Sequence, residues 1–348
     1  MVPIQEDGRD YIVLRDPQGY AESMLAIARE AVPLLTLFDG ERSPRQLLEE
    51  ITAQTGEPME PDGLLQLIDM LDQAHLLESE EFQRHRLEAE RDFQDQAVRE
   101  ATLAGVGYPD DPEELDSFLE GLLNAPPAED FEPETPVPNL PAMGMIAPHI
   151  DYARGGLTYG RAYRVLRDHL PPVDEGPLLV GVIGVAHQGA GAPMVVAPKD
   201  FRTPYGDVPY YRPGVERLRS RLSIDPCREQ WVHRQEHSVE LQLPWLQYLL
   251  RGREWSLLPL LAGVPEIGTD DNTPASAGPV RELIDTLEEI EREHQGPVLW
   301  IASVDLAHVG LQFGDMHPVD DAIRSAVEAV VHSRSITAPS PGRIRGWH

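Results

Sequence analysis

Between residues 142 and 333 the chain alternates short, almost wholly apolar runs with longer amphipathic ones, and this limits its fold more than anything else in the 348-residue sequence. The apolar runs lie at 143–147, 178–185, 194–197, 257–261 and 298–304, and each predicts a strand. Runs with helical spacing lie at 157–170, 215–222, 238–250, 280–294 and 320–332. Strands that are apolar on both faces and separated by helices predict an α/β fold, a central sheet flanked by helices. Pro244 is expected either to kink the helix at 238–250 or to sit in its first turn. No internal repeat interrupts the pattern.

Three of the strand candidates run out into metal-competent residues. MGMIA is followed by Pro148-His149, LLVGVIGVA by His187, and VLWIASV by Asp305 and His308. Ligands of open α/β sheets bind beyond the carboxyl ends of the strands, so residues far apart in the chain converge on one crevice. A single histidine so placed is read as a core residue bonded to backbone. Three strand ends doing the same point to a shared site, because an imidazole or carboxylate there is costly without a partner. A fourth element, Glu236-His237-Ser238-Val239-Glu240, precedes an apolar helical run. Ser238 is expected to cap that helix with Glu240 in its first turn, which leaves His237 for the crevice. His75, His85, His169, His233, His294, His317 and His332 belong to no such constellation. Two histidines and a carboxylate suit iron, copper, manganese or zinc. No phosphate loop, dinucleotide fingerprint or nucleophile elbow is present.

Before this region lies a small, mainly helical unit. Its apolar stretch Tyr11-Ile12-Val13-Leu14 is followed by Leu25, Ala28, Val32 and Leu35 at helical spacing. Ser43-Pro44 opens a helix that Gly56 closes, and Pro61 opens another. The cadence LFDGERSPRQLLEEI at 37–51 with LLQLIDMLDQAHLL at 64–77 resembles the PqqD-like winged-helix family. The resemblance implies a domain at 1–80 that docks a radical-SAM protein or a peptide. DNA reading is the weaker alternative, because the third helix has no Arg or Lys with which to reach a phosphate. Residues 81–97 read as a helical connector.

The region from 98 to 348 is similar to the Memo family, also called AmmeMemoRadiSam system protein B. IAPHIDYARGGLTYGRAY, GVAHQG, DFRTPYGDV, QEHSVELQLPWL and IASVDLAHVG stand in that family's order and spacing. REATLAGVGYPDDPEELDSFLEGLL at 99–123 looks like its N-terminal helix segment, which makes the Pro-rich stretch at 124–141 an internal loop. The resemblance implies a fold like that of class III extradiol dioxygenases and a pocket that takes iron or copper. Its metal ligands would be His149 and His187, with His237, Asp305 and His308 as pocket residues doing proton or orienting chemistry. Two departures stand out. The family's third ligand, a cysteine after the helix at 320–332, has no counterpart, because 334–348 is an atypical basic tail that reads as a truncation or reading-frame change. Asp305, His237 or His308 would have to substitute. The family's early Ser-His-Ala-Gly is here Thr102-Leu103-Ala104-Gly105. Three functions are compatible with these features: a redox-metal-binding component of an AmmeMemoRadiSam-type system, a metal-dependent oxygenase of the extradiol type, or a non-catalytic scaffold for a protein or peptide.

Charge and composition narrow the partners. With 29 basic and 59 acidic residues the net charge is −30, and neither nucleic acid nor an anionic membrane surface is expected to bind. No apolar run approaches the ~18 residues of a membrane span. MVPIQEDGRDYIVL lacks the parts of a signal peptide, so a cytoplasmic location is expected. Cys227 is the only cysteine, which excludes an internal disulfide and a cysteine-rich zinc knuckle. Lys199 is the only lysine among the 29 basic residues. Codon bias accounts for this alone; with the acid excess it also fits adaptation to high salt, where self-repulsion is screened. Unfolding midpoints measured from low to molar salt separate the two. A rise marks salt adaptation, and an unchanged midpoint leaves codon bias.

Overall fold

A computed structural model describes residues 2–6, 8–21, 24–56, 60–126, 140–263 and 278–333. Most of the Pro-rich loop and all of the atypical tail lie outside the described residues. The chain divides into two compact units, Met1–Gln96 and Ala97–His348.

In the first unit, β1 (Val2–Glu6), β2 (Arg9–Leu14) and β3 (Leu25–Ala28) form an antiparallel sheet in the order β1-β2-β3. Helices α1 (Val32–Leu35), α2 (Pro44–Thr55), α3 (Pro61–Gln73) and α4 (Glu80–Asp95) follow. α2 starts on a capping box: the Ser43 hydroxyl accepts from the Gln46 amide, and the Gln46 side chain accepts from the Ser43 amide. Gly56 ends it in the left-handed region, at φ 74°. The helix expected from Leu25 onward is corrected here. Leu25–Ala28 is a strand, because Ile27 pairs with Ile12 of β2 and is buried with Leu14 and Leu71. Four apolar residues can satisfy helical spacing by chance, and pairing with a neighbouring strand decides the outcome. The stretch expected as a connector forms α4, with Phe82 and Phe93 buried, and belongs to the first unit.

The second unit runs β4 (Val98–Arg99), α5 (Pro112–Leu123), β5 (Gly144–Ala147), α6 (Tyr152–Asp168), β6 (Leu178–Val185), β7 (Met194–Val196), β8 (Asp200–Thr203) and β9 (Gly206–Val208). It continues through α7 (Arg212–Arg221), α8 (His237–Glu240), α9 (Leu243–Leu249), β10 (Trp255–Ala262), α10 (Gly278–Glu293), β11 (Val298–Ser303) and α11 (Asp321–Ser333). Five strands form the main sheet in the order β5-β11-β6-β10-β7. The first four are parallel, and β7 closes the edge antiparallel to β10. β6 lies at the centre, where Leu178, Leu179, Val180 and Val182 are all fully buried. A parallel sheet covered by helices on both faces requires such apolar strands, and the α/β expectation holds. A small sheet, β4-β8-β9, was not anticipated, its strands being too short to show a period. The helix expected at 238–250 is two helices, and Pro244 sits in the first turn of α9, where its missing N–H costs nothing.

Helix α6 packs against α5 through glycines. A Cβ on Gly160 would lie 2.3 Å from the Leu122 carbonyl oxygen, a backbone atom that cannot swing away. Gly63, in α3, has nothing within 4 Å of the corresponding position. Urea unfolding should therefore show opposite signs. Gly160→Ala should destabilise its unit by about 2–3 kcal/mol through overpacking. Gly63→Ala should stabilise its own by about 0.5–1 kcal/mol through helix propensity.

Candidate metal centre

The crevice lies beyond the carboxyl ends of three adjacent parallel strands. His149 follows β5, His187 follows β6, and Asp305 and His308 follow β11. His237, the first residue of α8, joins them. One ligand atom from each of His149, His187 and His237 lies within 4.8 Å of the other two. The ring centroids are 4.9 Å apart for His149 and His187, 4.6 Å for His187 and His237, and 5.4 Å for His149 and His237.

The hydrogen bonds decide which nitrogens are free. His149 is buried, and its Nδ1 lies 2.8 Å from the Ser303 carbonyl oxygen. A carbonyl only accepts, so Nδ1 carries the proton and Nε2 keeps its lone pair. His187 Nδ1 lies 3.0 Å from both carboxylate oxygens of Glu236. That carboxylate also accepts from the His187 amide at 3.1 Å and the Ser238 amide at 2.9 Å, and it stands 3.2 Å from His237 Nδ1. Burial pushes the Glu236 carboxyl up, but the His187 and Ser238 hydrogen bonds and the flanking imidazoles prevail and bring it down to about 2. The Glu236 hydrogen bond raises His187, against its burial, while burial lowers His237. His149 and His187 thus each hold an acceptor through Nδ1, leaving Nε2 to bind, while His237 Nδ1 stands beside the same Glu236 carboxylate. This is how protein carboxylates and carbonyls usually orient metal-binding histidines.

The helix start was expected at Ser238; the structure corrects this to Glu236, whose side chain caps α8. Ser238 is used elsewhere. Its hydroxyl accepts from the Val185 amide at 3.0 Å and donates to the Val185 carbonyl at 3.3 Å, pinning the end of β6. Ser303 donates to the Ser238 carbonyl at 2.6 Å and accepts from Gln242 at 2.7 Å. Gln242 also donates to the Pro148 carbonyl at 2.8 Å and accepts from the Tyr163 hydroxyl at 2.7 Å. Glu240 is fully buried and pairs with Arg99. It also accepts from Thr102, from the Leu103 amide at 2.8 Å, and from the Tyr108 hydroxyl at 2.6 Å. Thr102 and Leu103, where the sequence departs from the resembled pattern, serve this carboxylate. Of the histidines set aside, His233 is buried, bonded to the Val195 carbonyl, and held neutral by burial with its pKa down at about 4.

Asp305 accepts from the His149 amide at 3.2 Å, and its Oδ2 lies 3.6 Å from His149 Nε2 and 3.2 Å from His308 Nε2. Burial would raise its pKa, yet the His149 amide and the two imidazoles hold it below the usual carboxylate range. His308 is half exposed and stacks on Phe313 with centroids 4.8 Å apart. All five residues named from the sequence, His149, His187, His237, Asp305 and His308, line one cavity of about 1100 Å³. Glu236 was not among them, because the cap was expected at Ser238 and the His187 that Glu236 serves lies 49 residues away. The donor set fits a transition metal: three imidazoles, two of them with an oriented spare nitrogen, and a carboxylate beside them suit iron, copper or zinc.

A parallel α/β sheet with three imidazoles gathered at its strand ends defines a protein with a site able to hold a metal ion. The model of the family described as Memo-like protein matches residues 99–336, and the chain belongs to that family. A MEMO1 family protein of Aquifex aeolicus is 30% identical over 315 residues, covering 90% of this chain and 76% of its own length. That match leaves out about a tenth of the chain and so reaches into the first unit as well. A MEMO1 family protein of Thermus thermophilus is 29% identical over 278 residues, covering 79% of this chain and 74% of its own. One from Pyrococcus furiosus is 30% identical over 220 residues, covering 62% and 67%. No helix among the described residues is long and apolar enough to cross a membrane.

Glu236 gives this unit an acid-sensitive element. Its carboxyl ionises at about 2 when folded against an ordinary 4.5. Its stabilisation is therefore complete above pH 4.5 and lost as the pH falls toward 2. Unfolding titrations from pH 5 to 2 should show that slope in the native chain and a shallower one in Glu236→Gln. Glu236→Ala should cost about 1–3 kcal/mol at neutral pH, through the donors left without an acceptor.

Proposed function

We propose that this chain is the Memo-like component of an AmmeMemoRadiSam-type system and binds one iron or copper ion through His149, His187 and His237. The observation that carries the reading is that one ring nitrogen from each of the three imidazoles lies within 4.8 Å of the other two, with His149 and His187 each held through Nδ1. His237 takes the third position, for which the sequence offers no cysteine. When bound, iron or copper would supply Lewis acidity and one-electron redox chemistry to a ligand in the cavity. Glu236 holds the His187 imidazole, stands 3.2 Å from His237 Nδ1, and offsets positive charge beside them. Asp305 orients His149 through its amide and passes a proton to or from His308, whose half-exposed ring meets solvent. That pair lining the same cavity favours turnover, of the oxygenase kind, over passive metal holding. The first unit's part, docking a radical-SAM protein or a peptide through residues 1–80, is proposed on its PqqD-like cadence.

Metal analysis of untagged protein loaded with iron(II) or copper(II) tests the assignment. Native protein should hold one equivalent. His149→Ala should lose it, and His237→Ala should weaken binding by about 10–100-fold. His308→Ala should keep its metal and lose any oxygen uptake. Unchanged metal content in His149→Ala overturns the proposal.

A further inference from the structure

Building on the metal-binding reading, we infer that Glu236 sets the charge preference of the centre, so that the three histidines hold a divalent ion in preference to copper(I). Donor softness comes first. Copper(I) is a soft, monovalent ion that thiolate and thioether sulfur select. The sulfur-bearing residues of the second unit are Met143, Met145, Met194, Cys227 and Met316, and all five are among the described residues. None of them lines the cavity. Cys227 is buried with Met194, Val215 and Leu218, and Met145 packs against the unit's other apolar cluster. Met143 and Met316 are exposed. The donors around the centre are nitrogen and oxygen, which suit divalent ions.

Charge comes second. The Glu236 carboxylate lies 3.0 Å from His187 Nδ1 and 3.2 Å from His237 Nδ1. The amides of His187 and Ser238, at 3.1 and 2.9 Å, fix it in place. Glu236 is buried, so water screens it little. Asp305 adds a second carboxylate, its Oδ2 3.6 Å from His149 Nε2. Coulombic energy is proportional to the charge of the ion, so each carboxylate stabilises a divalent ion twice as strongly as a monovalent one. Arg154, on the same lining, is matched by Asp151. Ile146, Leu306 and Leu311 also line the cavity; they are apolar, more than half exposed, and carry no compensating charge.

The test uses the full chain and copper, which offers both charges on one element. Copper(II) affinity is read by competition with glycine, and copper(I) affinity by competition with bathocuproine disulfonate under anaerobic ascorbate. The native chain should hold copper(II) at least about ten-fold more tightly than copper(I). Glu236→Gln keeps a carbonyl acceptor for His187 and removes the charge. A Coulombic loss doubles in energy when the charge of the ion doubles, so the fold-loss for copper(II) should be the square of that for copper(I), about ten-fold against about three-fold. Asp305→Asn should follow the same relation. Equal losses for the two ions in Glu236→Gln would mean that Glu236 only positions the rings, and would overturn the charge preference. Copper(I) held by the native chain as tightly as copper(II) overturns it too, and either result leaves the metal reading standing. Failure of the native chain to take up either ion overturns both.

Discussion

The segment from Glu236 to Gln242 holds the site together, because Glu236 and Ser238 satisfy the end of β6 while Gln242 reaches the ends of β5 and β11. Glu236 takes the His187 amide and imidazole just past β6, and Ser238 takes the backbone of Val185, the last residue of β6. Gln242 reaches Pro148 after β5 and Ser303 in β11, and Glu240 faces away to Arg99 and Tyr108. The strand ends of a parallel sheet expose carbonyls and amides that need partners. Here one short segment supplies them and in doing so sets the spacing of three histidines.

Close contact makes that arrangement exacting. A Cβ on Gly184 would lie 2.3 Å from the Ser238 hydroxyl, so only glycine lets this segment approach β6. Buried polar networks of this kind are costly unless every member is paired, and once paired they allow a single geometry. The floor of the cavity is therefore rigid and polar, while its walls are apolar and partly exposed.

Much of this was legible from local pattern. His149, His187, Asp305 and His308 could be grouped because each follows an apolar run, and parallel sheets place such positions side by side. His237 was assigned to the crevice because capping explained its neighbours and not itself. Leu25 to Ala28 was misread because its few apolar residues fit two periods, and only β2 chose between them. Glu236 was missed for a related reason. The cap was expected at Ser238, and the His187 that Glu236 serves stands 49 residues away. Arg99 and Glu240, 141 residues apart, carried no mutual signal at all.

The strands of the main sheet, the family and the candidate imidazoles were set by the sequence alone, since apolar period and motif spacing are properties of neighbours along the chain. Which nitrogens of His149 and His187 are free, and which carboxylate stands beside both His187 and His237, were decided only by the tertiary structure. Those outcomes depend on distances between segments that no local period encodes. Hydrogen-bond partners at about 3 Å exist only after the sheet has brought its strand ends together.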